Sequence, residues 1–169
     1  MLPLLSAKGY PSGGTGVILP YVNSSADTRV TISGWTQFAG GSPLAQTSTA
    51  ASTLTFADTN LSTVVDVWYL DIGGAFTYSI DGGAAVTITP PGGTNVAPRK
   101  TTITGLSNTT HTVVLTSSTA TATYVMGVAF HQATGVVFNN LGYGGASTPS
   151  TLYRAVTGHG FDMEVLAFT

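Results

Sequence analysis

The 169-residue sequence contains no cysteine, which excludes disulfide staples and any thiolate-based zinc site. Charge is almost as scarce. Only 7 % of residues are Asp, Glu, Lys or Arg, against about 25 % in an ordinary soluble protein. Five cations against seven anions leave a net charge of −2. No basic stripe is available to displace counterions from phosphates, so nucleic acid is excluded as a partner. Long hydrophobic runs are missing too, and no stretch approaches the ~20 apolar residues that span a bilayer as a helix. The opening Met1-Leu2-Pro3-Leu4-Leu5 has neither the charged start nor the full apolar run of a signal peptide, and is expected not to act as one. Generic catalytic signatures are also absent: no G-x-S-x-G elbow, no P-loop glycine-lysine pattern and no H-E-x-x-H. Gly142 and Gly144 lack a third glycine at dinucleotide spacing.

What the chain does have is hydroxyls and apolar side chains. Apolar residues make up 43 %, and Thr contributes 29 positions, Ser 15 and Gly 21. Threonine suits a pleated surface because its β-branch packs while its hydroxyl faces water. Alternation follows the same theme. Val30-Thr31-Ile32-Ser33 and Leu54-Thr55-Phe56 alternate, and Val64–Leu70 sets Val65, Val67 and Tyr69 on one face against Asp66 and Trp68 on the other. Phe76, Tyr78 and Ile80 precede Asp81-Gly82-Gly83, after which Val86 and Ile88 resume the pattern. Asp-Gly-Gly supplies the positive φ angles of a tight hairpin, and Pro90-Pro91 ends it. Further strands are expected over 100–104 and 111–116, the latter with His111, Val113 and Leu115 on one face. Another is expected over 123–131, with Tyr124, Met126, Val128 and Phe130 facing inward.

Strands at intervals of roughly ten residues, joined by Gly, Pro and Asn turns, predict a mainly β fold, an antiparallel β-sandwich of jelly-roll-like type. Residues 1–28 are expected to form an N-terminal extension and residues 29–138 the sandwich. Residues 139–169 read as an α/β-like strand–helix–strand segment that packs on the sandwich or on a neighbour. Its helix is expected over 149–158, with Thr148 as N-cap and Pro149 at the first position.

Candidate functional residues are few. His111 and His131 sit in expected strands and read as hydrogen-bonded structural residues, and His159 between two glycines reads as a loop residue. Asp58, Asp66, Asp71 and Asp81 are scattered; no metal set emerges, although the loop carboxylates Asp71 and Asp81 leave room for a structural calcium ion. No other cofactor is expected. Aromatics offer the better lead, because sugar faces stack on flat rings while their hydroxyls take hydrogen bonds at the edge. Trp68 beside Asp66, with Trp35 and Tyr10 in glycine-rich surroundings, are the candidate carbohydrate-binding residues.

Several stretches carry a resemblance. Asn140-Leu141-Gly142-Tyr143-Gly144-Gly145-Ala146-Ser147 resembles the second block of the SGNH (GDSL-like) hydrolases, and Phe161–Phe168 resembles the strand leading to their third block. Tyr78-Ser79-Ile80-Asp81-Gly82-Gly83, followed by Gly105-Leu106 and His111-Thr112-Val113, is similar to a β-sandwich domain carried by some bacterial and phage members. The resemblance implies an oxyanion-hole role for the Gly145 backbone N–H. However, the family's Gly-Asp-Ser nucleophile and Asp-x-x-His blocks do not occur here, so Gly145 reads as vestigial and the chain is expected not to be an enzyme. Two functions follow. One is a non-catalytic module, binding cell-surface glycan or packing with virion or other assembly subunits, in a virion or at an extracellular or cell surface. The other is an incomplete part of an SGNH-type carbohydrate esterase. Few charges guard the strand edges, so a homo-oligomer is expected.

Overall fold

The computed structural model describes residues 13–20, 27–38, 44–93 and 96–137. Among the described residues the chain forms strands and no helix. In chain order these are β1 (Gly16–Ile18), β2 (Val30–Ser33), β3 (Thr36–Gln37), β4 (Ala45–Thr47), β5 (Thr53–Ala57), β6 (Val64–Leu70), β7 (Phe76–Ile80), β8 (Val86–Ile88), β9 (Pro98–Ile103), β10 (Thr112–Ser117) and β11 (Thr123–His131). They build two antiparallel sheets. Sheet one runs β3-β4-β11-β6-β9, and sheet two runs β2-β5-β10-β7-β8. β4 and β1 share one edge of β11, β4 pairing with Thr123–Val125 and β1 with Val128–Phe130. The strand–helix–strand segment expected over 139–169, with its helix over 149–158, lies outside the described residues.

The sandwich follows from the alternation. β5 and β10 bury every second side chain: Leu54 and Phe56 on one, Val113, Leu115 and Ser117 on the other, with His111 just ahead in the same phase. β6 supplies Val65, Val67 and Tyr69 from the facing sheet. Tyr69 and Phe76 meet edge-to-face across the layer, with ring centroids 5.5 Å apart, the geometry aromatic quadrupoles favour. Many outward positions of sheet two are hydroxyls. Ser33, Thr53, Thr116, Thr77 and Thr87 stand in register across all five strands.

The β7–β8 turn has the predicted chemistry. Asp81 and Gly82 both take positive φ (53° and 73°), and Gly83 N–H closes on the Ile80 carbonyl at 2.8 Å, as in a type I′ turn. One face assignment is corrected. Val128 and Phe130 face the core as expected, but Tyr124 and Met126 face outward and Val125 takes the inward place. The cause is a β-bulge: Val125 opposes Tyr69 while Gly127 opposes Trp68, so Met126 is an extra residue and the alternation changes phase there. The bulge needs glycine at 127, where a Cβ would lie 2.7 Å from the Ile18 carbonyl oxygen.

Gly127→Ala is expected to lower stability by about 1–3 kcal/mol through overpacking against β1, read as a lower urea midpoint at unchanged slope. An unaltered midpoint would show that β1 does not press on the bulge.

Candidate functional site

The outer face of sheet one gathers most of the chemistry. Because side chains alternate along β6, Asp66 and Trp68 both stand on this face, opposite Val65, Val67 and Tyr69. The β9 register sets Thr102 beside Asp66 and Lys100 beside Trp68. On the other flank β11 brings His131, the last residue of that strand. Asp66 is buried, and its carboxylate is fully engaged. Oδ1 accepts the Thr102 hydroxyl at 2.6 Å, while Oδ2 lies 3.3 Å from Lys100 Nζ and 3.2 Å from His131 Nε2. Lys100 Nζ also sits 5.1 Å from the Trp68 ring centroid, a cation–π distance.

The electrostatics are mutual. Burial pushes the Asp66 carboxyl up, but His131, Thr102 and Lys100 together outweigh it and hold the carboxyl below its usual range. The Asp66 hydrogen bond is the main reason that His131 is raised above the ordinary histidine value, against burial. His131 Nδ1 meets the Gln132 carbonyl at 2.9 Å. A carbonyl only accepts, so Nδ1 carries a proton, and a carboxylate at Nε2 favours the second.

Trp68 also borders an apolar cluster on this outer face. Leu44, Leu70 and Met126 are buried there, with Phe38, Ile72, Val96 and Tyr124 half-buried around them. Phe38 and Tyr124 meet edge-to-face, centroids 5.5 Å apart at 83°. Reading the sequence alone did not find these two aromatics. The bulge hides Tyr124, since strict alternation places it inside, and no periodic signal marks Phe38.

Of the four sequence candidates, the structure brings together Trp68 and Asp66. Trp35 is corrected: it is 4 % exposed and belongs to the core between the sheets. Gly34, with φ of 74°, turns the chain from β2 in sheet two to β3 in sheet one, and Trp35 fills the space where the chain crosses. Tyr10, Gly145 and His159 lie outside the described residues.

The remaining titratable groups are tied into turns. His111 is buried; its Nε2 faces the Ser107 and Ser62 carbonyls at 2.8 and 3.2 Å, and its Nδ1 lies 2.6 Å from Asp81 Oδ2. Asp81 Oδ1 accepts the Thr112 N–H at 2.8 Å, which locks the hairpin tip onto β10. Burial alone lowers the His111 pKa, but Asp81 and the carbonyls reverse this and the net shift is upward. Asp81 is held low, the His111 and Thr112 hydrogen bonds outweighing desolvation. Asp58 accepts the Thr15 and Ser62 hydroxyls and the N–H groups of Thr59 and Asn60. Asp71 accepts the Ala97 N–H at 2.8 Å and lies 3.4 Å from Arg99. Asp71 and Asp81 therefore serve separate partners. Among the described residues no three His, Asp or Glu side chains form a metal-holding group, and neither histidine is hydrogen-bonded to a serine or threonine hydroxyl.

No protein-family model matches the sequence, and no curated protein matches it. Solved structures do match. A two-domain esterase active on acetylated mannans superposes with a TM-score of 0.54 at 14 % identity over 68 % of this chain and 36 % of its own. Its complex with mannopentaose superposes at 0.51. A family two carbohydrate esterase from Cellvibrio japonicus gives a TM-score of 0.51 at 11 % identity, over 71 % of this chain and 34 % of its own. The chain thus spans about a third of the length of these enzymes. At such identities the likeness is one of fold, and it establishes the β-sandwich as an architecture shared with them.

His111 and His131 both have raised pKa values, so their ion pairs stabilise the fold fully below about 6.5 and lose that contribution as pH rises through the higher folded values. Asp66 and Asp81, held low, lose theirs only as pH falls through their depressed values. Asp81→Asn is therefore expected to lower the urea midpoint most between these limits, near pH 5.5, with the deficit shrinking in alkali. A deficit independent of pH would show that His111 is neutral in the folded protein.

Proposed function

We propose that the chain is a non-catalytic carbohydrate-binding β-sandwich module that works in an extracellular or cell-surface setting. The observation that carries this reading is the half-buried Trp68 ring on the outer face of sheet one, with Lys100 Nζ over it and Asp66 and Thr102 on the same face. An indole supplies apolar surface for the C–H face of a sugar, and the neighbouring Lys100 ammonium and Thr102 hydroxyl, held in place by the buried Asp66 carboxylate, are the groups that pair with its hydroxyls. The shared fold supports it, since the esterases described above, one of them co-crystallised with mannopentaose, carry the same architecture. Both ring nitrogens of each described histidine are occupied by carboxylate or backbone carbonyl oxygens, which supports a binding role over a hydrolytic one, because a general base needs a ring nitrogen facing the nucleophile.

Mannan, cellulose and xylan oligosaccharides are the first ligands to test by calorimetry. Trp68→Ala is expected to weaken binding by roughly thirtyfold, the about 2 kcal/mol typical of a central aromatic anchor, with the far-UV spectrum unchanged. Undiminished binding by Trp68→Ala would move the site elsewhere, and silence of the wild type towards every glycan would end the proposal. A second reading, part of a carbohydrate esterase, is supported by the likeness to those enzymes over about a third of their length. Ester turnover by this chain, abolished by a serine-directed phosphonate, would favour it over the module.

A further inference from the structure

The edges of the two sheets are guarded unequally. In sheet one, β9 carries Pro98, Arg99 and Lys100, and proline and cations on an edge repel a neighbouring strand. β3 has two residues, and the three residues of β1 are all buried. In sheet two, β8 has three residues and runs into Pro90-Pro91. β2 differs from all of these. Its four residues, Val30-Thr31-Ile32-Ser33, include neither charge nor proline.

The ladder shows which groups this edge offers. Ala57 N–H donates to the Arg29 carbonyl, so by antiparallel alternation Thr31/Thr55 and Ser33/Thr53 are the pairs that exchange bonds with β5. The N–H and C=O of Ile32 therefore point away from β5. The side chains of Val30 and Ile32 pack on the core yet stay only partly buried, because β2 is the outermost strand of its sheet. The nearby cation is neutralised internally. Arg29 donates to both carboxylate oxygens of Asp27, at 2.8 and 2.6 Å.

We propose that β2 pairs antiparallel with β2 of a second copy about a two-fold axis at Ile32, joining two five-stranded sheets into one of ten. The edge is self-complementary, as a two-fold contact demands. Each Ile32 N–H donates to the partner's Ile32 carbonyl, and Thr31 faces the partner's Ser33, a hydroxyl pair with no like charges opposed. The exposed rims of Val30 and Ile32 become covered. The contact lies on sheet two, so it stands or falls independently of the glycan reading on sheet one.

Sedimentation of the full chain is expected to shift from monomer to a doubled mass as concentration rises, and Ile32→Lys, checked for fold by far-UV circular dichroism, is expected to stay monomeric. The absence of native cysteine allows a direct test. Directly opposed residues of a hydrogen-bonded antiparallel pair lie about 5.5 Å apart at Cα, within disulfide range. Under mild oxidation Ile32→Cys should form a covalent dimer well before Thr87→Cys, a control on the β8 edge. The Cys comparison decides the matter if Ile32→Lys does not fold. A wild type that remains monomeric at every concentration, or cross-linking of Thr87→Cys at least as fast as Ile32→Cys, would overturn the proposal.

Discussion

The contact between the inner faces of the two sheets holds this protein together. With no disulfide and very few charges, stability falls to interlocking apolar side chains. Val65, Val67 and Tyr69 of β6 and Val125, Val128 and Phe130 of β11 meet Leu54 and Phe56 of β5, Phe76 of β7 and Val113 and Leu115 of β10. Burial of a Leu, Val or Phe side chain contributes about 1.5–3 kcal/mol against its exposed state. The layer therefore tolerates little loss of volume, and it fixes which face of every strand is available for anything else.

The outer face of sheet one is where that freedom is spent on chemistry. A buried carboxylate is costly unless paired, and Asp66 meets the requirement with a hydroxyl, an ammonium and an imidazole from two neighbouring strands. The same side chains keep Lys100 close to the Trp68 ring. The His111–Asp81 pair performs the corresponding task at the hairpin tip, where it links a turn to β10. One pair therefore anchors a loop, while the other organises a surface.

Much of the fold could be read in the residues because the sandwich obeys a period of two. Val65, Val67 and Tyr69 against Asp66 and Trp68, and the Asp81-Gly82 turn, needed only local rules. Tyr124 and Met126 escaped those rules: an inserted residue shifts the phase, and the reason for Gly127 lies in a carbonyl of β1, more than a hundred positions away in the chain. Trp35 escaped for a similar cause, since its burial depends on β2 and β3 belonging to different sheets. At the site, the adjacency of Asp66 and Trp68 was local and legible. Lys100, Thr102 and His131 joined them through pairings of β6 with β9 and β11, which no spacing within one strand encodes.

The row of Ser33, Thr53, Thr116, Thr77 and Thr87 across sheet two has a bearing on how the molecule behaves in solution. Hydroxyls do not titrate in the ordinary range and attract no counterion cloud. The charge of that row is accordingly the same in acid and alkali and needs no screening by salt, whereas a row of lysine and glutamate would respond to each.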